Sequence, residues 1–292
     1  MSDTIQLNKR IAIEDESLIN GISSNTELYV TINNDHLAYT VLDKEKNKYV
    51  ALSEYRFIHP LTAENRLDQL QSIRTTDTLL NKDLYSKMCV SVNTSSFTLI
   101  PSHFYQKEIE TDILALTCSI ENDDAVFSDK LKYADAYIIY ALDKQLLGVT
   151  GEWFDGAKLF FGGTALIESQ LLLNKNSNEK IMTLNVRMHD YDIVVTDANK
   201  LLFYNSFRYQ SSEDFIYYLL FTCEQLGLNP ENIPFKLTGE IDKTSAAYFI
   251  TSKYIRNISF AHRPDVFEFS YGFDTLPSHH HYSLFNQHLC VL

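Results

Sequence analysis

Residues 180–240 read KIMTLNVRMHDYDIVVTDANKLLFYNSFRYQSSEDFIYYLLFTCEQLGLNPENIPFKLTGE, and this stretch decides the fold. Two β-rich runs, 180–187 and 190–196, flank Met188-His189 and predict a hairpin. A third strand follows over 200–208. Ser211 then stands where an N-cap belongs, with Asp214 three residues on, the position a capping box uses. Phe215, Leu219, Leu220, Cys223 and Leu226 form the apolar stripe of a helix over 212–226. Gly227 and Pro230 stop it. A strand over 234–238 runs into Gly239. A helix over 244–253 and a strand near 255–260 complete the series.

Moving outward, the first part of the chain shows the same order. Runs 27–33 and 36–43 flank the turn residues Asn33-Asn34-Asp35, and a third strand covers 49–58. Pro60 breaks that strand. Thr62 is placed to cap a helix over 63–74 with Leu67, Leu70 and Ile73 inward. Strands at 87–92 and 97–100, a helix over 106–117, a continuous apolar strand at 135–141 and helices through Leu146 and over 164–174 follow. Residues 280–290 read as a short amphipathic helix. The two hairpins begin at 27 and 180 and the first helices at 63 and 212, so the halves are offset by roughly 150 residues, the scale of a duplicated domain. Three antiparallel strands followed by βα crossovers predict a mixed sheet with helices on both faces.

The composition limits function. The 292 residues carry 25 Lys+Arg against 38 Asp+Glu, a net charge of −13. Such a surface repels phosphate backbones and anionic lipid, so nucleic-acid binding is not expected. No apolar run approaches the ~20 residues of a spanning helix, so no membrane insertion is expected. Met1–Arg10 is polar, without the pattern of a signal peptide, and the cytoplasm is the expected compartment. Cys89, Cys118, Cys223 and Cys290 are far apart and read as apolar thiols rather than a disulfide or zinc set.

The element order resembles the actin-like ATPase superfamily, which includes sugar kinases, heat-shock ATPases, FtsA and PilM. More narrowly, the chain resembles an uncharacterised bacterial family of that fold with no assigned activity. The resemblance spans about residues 27–290. It implies an α/β chain with a duplicated actin-like, ribonuclease H-like fold, each lobe carrying a mixed five-stranded sheet flanked by helices. The expected divisions are an N-terminal extension 1–26, lobe one 27–175 and lobe two 176–292.

The same resemblance points to a nucleotide cleft and to its loss. In the superfamily each hairpin carries Asp-x-Gly, the Asp organising metal and water and the Gly admitting phosphate to backbone N–H groups. Here the first turn is Asn33-Asn34-Asp35, without glycine. The second is Asn185-Val186-Arg187-Met188-His189-Asp190. The adenosine strand keeps Gly239, but Glu240 replaces its partner and a carboxylate repels a polyanion. The candidate cleft residues are therefore Asn33, Asp35, Asn185, Asp190 and Gly239. No catalytic residue, no metal ligand and no bound cofactor are expected.

Other signals are weaker. Asp35, Asp190 and Asp192 have the chemistry to hold Mg²⁺, yet turn composition alone explains them. Arg187 is expected to pair with Asp190 or Asp192. Gly162-Gly163-Thr164 lacks the lysine of a phosphate loop, and Thr164 is expected to be an ordinary N-cap. His279-His280-His281 read as a helix start, where neighbouring side chains diverge too far to chelate. The chain is thus expected to be a non-catalytic scaffold or adaptor that binds a protein partner, with a homodimer as one expected assembly and the third strand of either half as a docking edge. The rival expectation is a divergent ATPase or kinase holding ATP-Mg between the lobes.

Overall fold

The computed structural model describes residues 8–58, 63–80 and 85–291. Pro60 and Thr62 lie outside the described residues. Strands β1 (Asn8–Glu14), β2 (Thr26–Ile32), β3 (His36–Asp43) and β4 (Lys48–Arg56) lead to helix α1 (Ala63–Thr76) and β5 (Lys87–Val92). Then come β6 (Phe97–Pro101), α2 (Glu110–Ala115), β7 (Asp124–Lys130), β8 (Ala136–Asp143), α3 (Lys144–Trp153), β9 (Lys158–Phe161) and α4 (Thr164–Asn174). The second part runs β10 (Lys180–Val186), β11 (Asp190–Asp197), β12 (Lys200–Arg208), α5 (Ser212–Gln225), β13 (Phe235–Gly239), α6 (Ala246–Tyr254), β14 (Ile258–Phe260), β15 (Glu268–Phe269) and α7 (Tyr282–Phe285).

The two main sheets share one topology. The core of the first runs β4-β3-β2-β5-β9, and the second runs β12-β11-β10-β13-β14. In each, the first hairpin and third strand are antiparallel, and the two following strands are parallel. The likeness reaches the backbone register. Pairing of the second and third strands slips after Val41 in one sheet and after Val195 in the other, each the sixth residue of its strand. A bulge at the same place in both copies twists both sheets alike.

Three features depart from the sequence reading. The strand at 135–141 forms not in the first sheet but in a separate three-stranded sheet, β6-β8-β7, covered by α2. The fifth strand of the first sheet is the short β9. The first sheet is also extended: β1 pairs antiparallel with β4, and β15 pairs with it in parallel. The third strand of the first half is therefore covered, while β12 of the second has one edge unpaired among the described residues.

Residues after Phe260 return to the first sheet. Phe269, Phe273 and Phe285 pack around the fully buried Tyr49, whose hydroxyl donates to Phe285 O (2.7 Å). Gln287 Nε2 donates to Thr31 Oγ1 (2.7 Å) and Ser91 Oγ (2.8 Å), fixing the chain across β2 and β5. Helix α4 packs on β11 and β12 while its Leu166, Ile167 and Leu171 enter the core of the first half, and α7 reaches β2, β3 and β13, so both bridge the sheets. Helices α5 and α6 cover the second core. Among the described residues, no helix is long and apolar enough to cross a membrane.

Candidate functional site

Both hairpins and the end of β13 converge where the two sheets meet. Asn33, Asn185 and Gly239 line one small cavity together with His36, Asn93, Arg187, Glu240 and His281. Its volume is about 60 Å³. Sites for ligands of nucleotide size measure roughly 300–1,000 Å³. Asp190 lies in an adjoining cavity of about 480 Å³, with Asn34, Asp192, Tyr204 and Arg208. Asp35 lines neither and is turned into an ion-pair network.

That network begins at the first turn. Asp35 accepts from His36 Nδ1 (2.8 Å) and from the Arg56 guanidinium. Asn33 hydrogen-bonds His36 Nε2 (2.7 Å) and accepts from Asn93. Arg56, on β4, also holds Glu54 (2.7 Å) and reaches across to Glu240 of the second half. Arg10 of β1 reinforces this with Glu240 (3.1 Å) and Glu54 (3.4 Å), while His281 Nε2 lies 3.3 Å from Glu54. Burial works against the charge on Asp35, but the hydrogen bond from His36 and the Arg56 charge prevail and hold its carboxyl well below the usual range. Burial likewise opposes ionisation of Glu240, and its bond to Arg56 outweighs that.

The second turn is closed by its own arginine. Arg187 NH1 and NH2 grip both oxygens of Asp192 (2.5 and 2.7 Å), and its Nε donates to Asp190. The Asp192 side chain is almost wholly buried. This planar fork is the strong form of a guanidinium–carboxylate contact. Burial opposes the Arg187 charge, but the two aspartates dominate and raise its pKa. The pairing expected for Arg187 is therefore present with both partners. Both carboxylate oxygens of Asp35 and of Asp192 have a basic or amide neighbour.

The glycines serve packing. Gly239 has φ +81, and a Cβ there would sit 2.2 Å from Val186 O, so the residue is required by the approach of β13 to β10. A Cβ on Gly162 would meet the Asn93 side chain at 2.0 Å, and one on Gly163 would meet the Tyr204 hydroxyl at 2.0 Å. Protein side chains thus fill the space above this glycine pair. Thr164 is not the N-cap it was expected to be: Gly163 holds that position, and Thr164 Oγ1 donates to Asp129 (3.0 Å), whose carboxyl burial pushes up to about 6.

Sequence reasoning missed Arg10, His36, Glu54, Arg56 and Asn93. One signal was present: Ser53-Glu54-Tyr55-Arg56 places two charges in a strand buried along nearly its whole length, and such charges must find partners.

The fold has solved counterparts. A Bacteroides thetaiotaomicron protein described as having an actin-like ATPase fold and unknown function superposes with a TM-score of 0.73 at 23% identity, over 82% of this chain and 91% of that one. The PilM-PilN type IV pilus biogenesis complex gives a TM-score of 0.54 at 13% identity, over 91% and 96%. The chain therefore has the actin-like ATPase fold. The family described as "Protein of unknown function (DUF3822)" matches residues 15–258. No match is found among curated proteins.

Proposed function

The chain belongs to the DUF3822 family, and from that premise we propose that it is a non-catalytic actin-fold scaffold or adaptor, acting in the cytoplasm through a protein partner. One observation carries the reading: the protein's own ion pairs occupy both hairpin turns, Arg56 on Asp35 and Arg187 on Asp190 and Asp192. A nucleotide phosphate would have to displace two guanidinium–carboxylate contacts and strand buried charges, at a cost of several kcal/mol. It would also meet the Glu240 carboxylate. Asn33, Asp35, Asn185, Asp190 and Gly239 are, on this reading, parts of a structural joint between lobes, the first centred on 27–175 and the second beginning at 176.

A protein role suits the open edge of β12. Beside it lies a cavity of about 700 Å³ lined by Leu99, Ile100, Leu201, Leu202 and Phe203. An extended peptide can add to such an edge through backbone hydrogen bonds. PilM, of the same fold, is solved in a complex with PilN, which supports a binding role by analogy. Self-association through the same edge would give a homodimer.

Calorimetry of the full chain with Mg²⁺ and ATP, ADP or GTP tests the reading. We expect no binding at 1 mM ligand. A Kd tighter than about 100 μM, worth roughly 5–6 kcal/mol, would overturn it in favour of a divergent ATPase or kinase.

A further inference from the structure

We propose that Asp242, His279 and His280 form a binding site for one divalent transition-metal ion of the zinc, cobalt and nickel class. This goes beyond the scaffold reading and does not depend on it. Asp242 follows the end of β13, whereas the two histidines lie on the segment returning to the first sheet. The fold brings one donor atom from each within 4.8 Å of the others. Asp242 Oδ1 is 3.7 Å from His280 Nε2 and 3.9 Å from His279 Nε2. Donors on a tetrahedral ion with bonds of about 2.0–2.1 Å stand roughly 3.3–3.4 Å apart, so the two separations from Asp242 need to close by only about half an ångström.

Consecutive histidines diverge on a helix, but these are not helical. Helix α7 starts at Tyr282, and His281 before it adopts φ +52. Gly239 N donates to His279 O (2.9 Å), pinning the segment beside the Asp242 turn. The two rings stand 4.9 Å apart at 87°. His279 also lies on the Phe260 ring at 4.3 Å, which limits its rotation.

A second observation points to a ligand. His280 Nε2 is buried and has no hydrogen-bond partner, a costly state for a polar atom that coordination would relieve. His279 Nε2 donates to Ile241 O (2.7 Å). On binding, its proton moves to Nδ1, and Nε2 exchanges the carbonyl for the ion. Burial lowers the pKa of both rings, favouring the neutral imidazole that coordinates. Two imidazoles and one carboxylate suit zinc-like ions over Mg²⁺ or Ca²⁺. Asp242 is 54% exposed, which leaves an entry path and room for water as the fourth ligand. The ion would join the β13 turn to the return segment and so fasten one lobe to the other.

The test uses full-length protein cleared of metal with a chelator. Zn²⁺ is titrated by calorimetry, and Co²⁺ by its visible ligand-field absorption. We expect one ion per chain, no competition from Mg²⁺, and at least about a tenfold loss of affinity in both His280→Ala and Asp242→Asn. Asp242→Asn alters an exposed side chain and keeps the fold testable. Absence of heat and absorption in the wild type overturns the proposal, as does wild-type affinity in Asp242→Asn.

Discussion

Arg187 is a turn residue whose worth depends on what it neutralises. Its fork holds Asp192, whose side chain is 3% exposed, and its Nε holds Asp190. Removing one partner of such a pair leaves a charge in a medium that solvates it poorly. Arg187→Met should cost about 3 kcal/mol in urea unfolding, and adding Asp192→Asn should restore part of the loss by removing the stranded charge. The exposed pair Arg256–Glu231 makes the contrast, with side chains 75% and 62% exposed. Arg256→Ala should shift stability by less than about 0.5 kcal/mol. The Arg187 pairing was legible in sequence because its partners lie three and five residues along a hairpin. Arg56 was not, since its partners Asp35 and Glu240 come from distant parts of the chain.

At the scale of elements, local chemistry and close approach separate cleanly. Helix α5 forms where its cap predicts, with Ser211 accepting from Asp214 N; the Asp214 carboxylate accepts in turn from Gln210 N (3.1 Å), one residue before the position a capping box uses. Both signals lie within one turn, so the sequence carries them whole. Strand β9 is the opposite case. Lys158-Leu-Phe-Phe161 is too short to show a period, and only pairing with β5 makes it a strand. Gly227 and Gly239 divide in the same way. Both have positive φ, +61 and +81, but a Cβ on Gly227 meets nothing within 4 Å. Gly227→Ala should therefore cost about 1 kcal/mol from backbone strain alone. Gly239→Ala should cost at least about 2 kcal/mol more, because Val186 O obstructs the added carbon. Equal losses in thermal or urea unfolding would show that the β10–β13 contact yields freely.

Across the whole molecule, Glu240 with Arg56 and Arg10 forms the polar latch between the halves, seconded by α4 and α7. Glu240→Ala should loosen that joint without unfolding either sheet. Hydrogen exchange should rise at the amides of both hairpin turns, and the radius of gyration from solution scattering should increase; unchanged exchange in both turns would show that the helices alone hold the halves. By itself the sequence determined the duplicated order of strands and helices, the capped α5 and the absence of glycine from both turns. Each of these rests on neighbours in the chain, through hydrophobic period, cap or turn propensity, and is set before any long-range contact forms. Tertiary structure alone decided that β8 belongs to a separate sheet, that both ends of the chain complete the first one, and that Asp35, Arg56 and Glu240 meet. Those outcomes depend on which distant surfaces close together and on the need of every buried charge for a partner, and neither is written within any one segment.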